Sequence, residues 1–305
     1  MKKTIFYFLL LVLFCHSCSD DTNVTYERQG WRENINLYGD IQSYAMYCYD
    51  VEDKFGELVE SLQEKVIYKF NERGDVSEAA IYDNKGLLAE KLHCKYNSNF
   101  QLIEEAMYDD TGTRSDKTIY KYNTNGKLIS KTLLYDNLVE EKIVYNYNPK
   151  GYIENELRYD KEGVLREKVQ YKYATNGKLI EQSVFYDCSL YEKLAYKYNK
   201  DGLLLEVAKY NNRGELEIKH IYKYNTKGKV IESATYEDDG IQNRVCFKYE
   251  NNKIIEDLLY NSDDRVYRKV SHKRDSRGNI IESITYDSEA MIPQILKRVE
   301  ITYRK

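Results

Sequence analysis

The sequence predicts an all-β protein: tandem β-hairpin repeats of about 25 residues forming one long twisted or coiled antiparallel sheet. Three observations predict it. A double-aromatic motif recurs at fixed spacing, turn residues punctuate every half-repeat, and polar and apolar side chains alternate between the turns.

The recurring motif is Tyr120-Lys121-Tyr122-Asn123. Its relatives are Tyr68-Lys69-Phe70, Tyr145-Asn146-Tyr147, Tyr171-Lys172-Tyr173, Tyr196-Lys197-Tyr198, Tyr222-Lys223-Tyr224 and Phe247-Lys248-Tyr249. Degenerate copies stand at Cys94-Lys95-Tyr96 and His272-Lys273-Arg274. The last residue of the motif falls at 70, 96, 122, 147, 173, 198, 224, 249 and 274, in steps of 25 or 26. A period of that length marks a supersecondary unit that stacks on its neighbours.

Each unit holds two turns. One follows the aromatic strand, as in Asn123-Thr124-Asn125-Gly126. The other follows a further tyrosine, as in Tyr82-Asp83-Asn84-Lys85-Gly86 and Tyr159-Asp160-Lys161-Glu162-Gly163. Asn or Asp at the start of a turn bonds its own backbone, and Gly takes the positive-φ position. Asn251-Asn252 replaces Gly in one copy, and Asn tolerates that conformation. The runs between turns are too short for ordinary helices and suit hairpins.

Alternation assigns the faces. Leu216, Ile218, His220, Tyr222 and Tyr224 share one side of a strand, opposite Glu215, Glu217, Lys219, Ile221 and Lys223. Period two is the mark of a half-buried strand. Glu232 is expected beside lysines of neighbouring strands. Roughly eighteen strands would make a sheet on the order of 85 Å long if flat, and twist is expected to coil it. The basic last strand, Lys297 to Lys305, is expected to guard an open edge.

Composition narrows the function. With 46 Lys+Arg against 50 Asp+Glu, the net charge is −4, and a nucleic-acid partner is not expected. Thirty-two tyrosines and only two prolines favour β-structure over disorder. Residues 1–18 read as a signal peptide: Lys2 and Lys3, an apolar run from Ile5 to Phe14, then Ser17 before Cys18. That arrangement resembles the lipobox of bacterial lipoproteins, although Cys15 and His16 stand where an aliphatic and a small residue are typical. The resemblance implies lipidation of Cys18, with the lipid as membrane anchor; the alternative is an ordinary signal peptide. Ser19-Asp20-Asp21 resembles the surface-export signal of Bacteroidota lipoproteins. It implies an outer-membrane protein exposed on the cell surface, with the periplasmic face as alternative. Residues 19–30 read as a polar tether and 31–305 as the repeat array.

Tyr-Asp-x-x-Gly-x-Leu, as at Tyr82 to Leu88 and Tyr159 to Leu165, resembles the YD repeat of RHS-type proteins. The resemblance implies strands that spiral into a β-sheet shell, which in large members encloses a toxin domain. This chain is too short for a full cocoon and ends on a repeat strand, so the toxin activity is not carried over. The hairpin spacing is also similar to that of MORN-type repeats, which implies a binding or scaffolding module.

No reaction chemistry is legible. His93, His220 and His272 are dispersed and form no nucleophile–base spacing. Glu104, Glu181, Glu206, Glu232, Glu256 and Glu282 recur at one repeat position, which reads as a ladder with lysine. Cys48, Cys94, Cys188 and Cys246 have no metal-ligand spacing; three disulfide pairings or four free thiols are open, the latter favoured. No cofactor is expected. The tyrosine ladder is either a stacking platform for sugars or an apolar face with hydroxyls at its edge. Repetition in every unit favours the second, and the single Trp31 lies before the array. The expectation is a non-enzymatic surface protein that binds or scaffolds a protein or glycan partner. An immunity protein neutralising a toxin and a glycan-capture protein are the alternatives.

Overall fold

The computed structural model describes residues 37–237, 240–287 and 291–304. The signal segment 1–18 with Cys18, the tether 19–30 and Trp31 lie outside the described residues. Twenty strands follow one another. They are β1 (Ile41–Lys54), β2 (Glu57–Phe70), β3 (Val76–Asp83), β4 (Leu88–Tyr96), β5 (Leu102–Asp109), β6 (Arg114–Tyr122) and β7 (Leu128–Tyr135). Next come β8 (Leu138–Tyr147), β9 (Ile153–Asp160), β10 (Leu165–Tyr173), β11 (Leu179–Tyr186), β12 (Ser189–Tyr198), β13 (Leu204–Asn211) and β14 (Leu216–Tyr224). The last are β15 (Val230–Glu237), β16 (Gly240–Glu250), β17 (Lys253–Tyr260), β18 (Val266–Arg274), β19 (Ile280–Asp287) and β20 (Pro293–Tyr303).

Every strand pairs antiparallel with its sequence neighbours, and β1 pairs with β20 along Ser43↔Thr302 to Asp50↔Ile295. The sheet is therefore a closed barrel around one axis. This corrects the expectation of a long open twisted sheet, and the count is twenty strands instead of eighteen. The basic last strand guards no edge, because its backbone is consumed by β1. Twenty strands with ordinary tilt enclose a ring about 40 Å across if circular. The physical cause of closure is visible in the ladders. Each of the twenty pairings contains a register shift, such as that between Lys172 and Tyr173 where β10 meets β11. Such bulges bend a strand and increase its twist, so repeating them in every pair curls the sheet until its edges meet.

The turns form as their residues require. Asn71 Oδ1 accepts from the amides of Arg73 and Asp75, both at 3.0 Å, and Asp83 Oδ1 does the same for Lys85 and Leu87, both at 2.9 Å. Turns opening mostly with Asn lie at one end of the barrel. At the other end, turns opening mostly with Asp alternate with two-residue turns such as Asp136-Asn137.

Two facts fix which face is inside. At Asn71 the amide and carbonyl both point to the β3 side, so by alternation Lys69 and Lys65 aim their backbone groups forward to β3, and Tyr68 aims back to β1. The register also drifts in chain order. Tyr68, near the Asn-turn end, leads through Ala79 and Leu92 to Met107, beside the Asp-turn end. For L-residues on strands of right-handed tilt, these two facts coexist only if the lysine face is outside and the tyrosine face inside. Burial follows two local clusters on this inner wall, one around Ile41, Phe70, Val76 and Leu102 and one around Leu128, Ile143, Tyr145 and Ile153.

The outer face is a charge lattice. Lys223 meets Glu232 at 2.7 Å, Lys197 meets Glu206 at 2.8 Å and Lys95 meets Glu104 at 2.8 Å. On the same strand pairs Lys219 lies 5.4 Å from the Tyr236 ring and Lys193 5.2 Å from that of Tyr210. Buried Ala208 and Ala234 lie beneath these side chains. Solvent screens these exposed pairs, so the lattice shapes the surface more than it stabilises the barrel.

Candidate functional site

The inner wall is built from two kinds of tyrosine. The second tyrosine of each motif ends its strand at the Asn-turn rim, and its hydroxyl donates to a carbonyl at the start of the preceding strand. Tyr122 reaches Leu102 O at 2.8 Å, Tyr147 reaches Leu128 O at 2.7 Å and Tyr173 reaches Ile153 O at 3.0 Å. Tyr96, Tyr198, Tyr224 and Tyr249 repeat the bond to Val76, Leu179, Leu204 and Val230. The residues supplying the carbonyls are mostly buried: Val76, Leu102, Leu128, Ile153, Leu179 and Val230. Burial, then the charge of Glu156, pushes the phenols of Tyr147 and Tyr173 up to about 12. These seven tyrosines are latches between successive strands, and their hydroxyls are committed.

Below the latches runs a belt with one inward position per repeat: Ala79, Glu105, Lys131, Glu156, Gln182, Val207, Ser233, Asp257 and Ser283. The outer lattice and the latches follow the repeat in most units, whereas this belt changes from each step to the next. The first tyrosine of several motifs bonds into it: Tyr171 to Glu156 at 2.6 Å, Tyr196 to Gln182 at 3.2 Å, and Tyr120 to Glu105. Glu156 is only 7% exposed and flanked by Tyr145 and Val169. A variable belt on a repeated scaffold is where ligand specificity can reside.

The histidines do not converge. His93 is on the outer face, 3.8 Å from Glu78 and edge-on to Tyr108. His220 faces inward and meets Thr235 Oγ1 at 3.1 Å; burial pushes its pKa down. His272 faces inward and joins two belt residues, Ser283 at 2.8 Å and Asp257 at 3.1 Å. That cluster is missed by sequence spacing, because its members lie on three strands. The recurrent glutamates are the outer ladder, as their repetition suggested: Glu104, Glu181, Glu206, Glu232 and Glu256 each contact a lysine, and Glu282 contacts Arg298. Cys48, Cys188 and Cys246 are free thiols, Cys188 exposed in a two-residue turn, and Cys94 is buried. Among the described residues no group of three or more His, Cys, Asp and Glu is placed to hold a metal ion.

The second departure from the repeat is Arg274, which stands at the latch position of its strand. Its Nε and Nη2 donate to Ile254 O at 3.1 and 2.9 Å, and Nη1 to Gly278 O at 2.9 Å. The guanidinium thus replaces a tyrosine hydroxyl and carries a charge into the mouth of the barrel.

A family model described as "Uncharacterised protein" matches residues 163–269. No curated protein matches the chain in sequence. Among solved structures, a porin-like protein from Bacteroides uniformis is 10% identical, with a TM-score of 0.38 over 86% of this chain and 98% of that one. The crystal structure of TcdB2-TccC3-TEV is 11% identical, with a TM-score of 0.29 over 75% of this chain and 15% of that one. A DUF1329 family protein from Desulfovibrio piger is 7% identical, with a TM-score of 0.25 over 86% of each chain.

Proposed function

We propose that this chain is a non-enzymatic, lipid-anchored protein of the bacterial outer membrane, exposed on the cell surface, that binds a protein or glycan partner within its barrel. The observation that carries this reading is the contrast between the two faces. The outside is a repeated lattice of lysine, glutamate and tyrosine, suited to water. A membrane-spanning barrel needs an apolar band there, because a charged side chain facing lipid costs about 2–4 kcal/mol at the midplane. The anchor is then the lipid on Cys18 rather than the barrel wall. The inside combines aromatic rings with a belt whose residue changes from each repeat to the next. The YD-repeat resemblance, which implies a shell around a cargo, supports the same direction.

The test is capture by the full chain on intact cells, probed with a glycan panel and with crosslinking to surface proteins. Replacing a belt residue by the bulky Ser233→Trp is expected to weaken capture, whereas Lys223→Ser on the outer lattice leaves it intact. Capture that depends on the outer lattice and ignores the interior would overturn the reading.

A further inference from the structure

We propose that the Asn-turn mouth of the barrel, between the turns that follow β16 and β18, is a subsite for an acidic sugar, with Arg274 and Lys253 holding its carboxylate. The inference rests on the reading above and specifies the ligand class. A cavity of about 400 Å³ opens here, its lining including Lys253, His272 and Arg274 together with Glu250 and Asp275. Both cations are positioned by backbone carbonyls. Lys253 Nζ donates to Arg277 O at 3.1 Å and lies 4.5 Å from the Tyr38 ring; Arg274 is fixed on Ile254 O and Gly278 O. Among the described residues neither has a carboxylate at ion-pair distance. Two other arginines lie against acids: hydrogen bonds to Asp160 and Glu60 hold Arg166 and Arg298 above their ordinary values. Burial instead pushes Arg274 down, outweighing the opposing fields of Tyr38, Asp257 and Asp275.

The two carboxylates of the lining are engaged elsewhere or solvated. Asp275 is saturated by the Tyr303 hydroxyl at 2.5 Å and by the amides of Asn279 and Arg277 at 2.8 and 2.9 Å. Glu250 is exposed to solvent at the rim. Arg274 retains two N–H groups beyond its three carbonyl bonds, and a guanidinium suits planar oxyanions. A second cavity of about 360 Å³ adjoins the first through Asn251, lined by Asn225, Thr226, Tyr249 and Asn252. Amides, a hydroxyl and an aromatic ring are the chemistry that receives a hydroxyl-rich ring. A uronate in the first cavity and its neighbouring sugar in the second account for both.

The test is calorimetric titration of the full chain in detergent with oligogalacturonate and with a neutral galactose oligomer of the same length. The informative variant is Arg274→Tyr, which restores the residue of seven other repeats and should retain the latch. Expected are saturable, salt-sensitive binding of oligogalacturonate, weaker binding of the neutral oligomer, and a loss of about tenfold or more in uronate affinity in Arg274→Tyr at an unchanged unfolding temperature. No uronate binding, equal binding of both sugars, or uronate binding untouched by Arg274→Tyr would overturn the subsite. Partner capture that remains sensitive to Ser233→Trp in that case would leave the broader reading standing.

Discussion

A tyrosine hydroxyl aimed at the carbonyl of a residue about twenty positions earlier recurs in seven repeats, and the consequence of removing one is specific. Tyr147→Phe keeps the ring and deletes the bond to Leu128 O, leaving a carbonyl beside a buried side chain without its donor. A loss of about 1 kcal/mol is expected in chemical unfolding. Tyr191→Phe, at a ring 56% exposed, is expected to cost less than about 0.5 kcal/mol. Equal effects would contradict the latch. Burial of the Tyr147 and Tyr173 rings, with the charge of Glu156 beside them, sets an alkaline limit. Tyr147 and Tyr173 are raised to about 12 in the fold, above the ordinary phenol value near 10. A raised group contributes stability that is complete below the unfolded value and is lost as pH climbs through the folded one. Phenolate absorbance should therefore show a late-titrating set near pH 12, and thermal stability should fall between about pH 10 and 12. Titration of every tyrosine near 10, with no change in stability across that window, would contradict the burial of these rings.

For strands and turns, glycines with the same backbone conformation predict different outcomes. Gly86 and Gly278 both have positive φ, 78° and 94°. A Cβ at Gly86 meets nothing within 4 Å, so Gly86→Ala carries only the conformational cost, about 1 kcal/mol. A Cβ at Gly278 would fall 1.2 Å from Lys253 Nζ. Gly278→Ala must displace that lysine from Arg277 O and should be the more destabilising of the two, as thermal unfolding can measure; the reverse order would contradict the packing of Lys253 across the turn. The elements themselves were legible in the sequence. Asn71 and Asp83 open turns as their side chains require, the alternation of Lys219 with His220 separates the outer and inner faces, and Glu232 finds Lys223. The mouth pocket was legible only as a departure, in that His272 and Arg274 interrupt the aromatic pair. Its content depends on Ile254 O and Gly278 O, and on Asp257 and Ser283, fifteen and eleven residues from His272. Spacing encodes none of these contacts, since they arise from register between strands.

For the molecule as a whole, closure is the property the sequence concealed. β1 and β20 carry the same alternating pattern as every interior strand, so nothing local distinguishes a seam from an edge. The seam is confirmed by residues that make sense only as neighbours: Arg298 reaches Glu60 at 2.6 Å, Tyr47 reaches Glu300 at 3.0 Å, and Arg304 reaches Asp40 at 2.6 Å. Asn279, fully buried, bonds both the amide and the carbonyl of Tyr38 across a separation of 241 residues. Closure also explains how a chain of repeats escapes edge-to-edge aggregation, which an open sheet of this length would invite.

The most direct test of that claim uses a cysteine already present. Cys48 on β1 lies opposite Lys297 on β20. Partners across an antiparallel pair have Cα atoms about 4.5–5.5 Å apart, within reach of a disulfide. In Lys297→Cys under mild oxidation, the closed barrel predicts an intramolecular disulfide to Cys48 in the monomer, identified by peptide mass mapping. In an open sheet the two strands would stand on the order of 90 Å apart. A monomer whose introduced thiol stays reduced, or bonds only between molecules, would contradict the barrel.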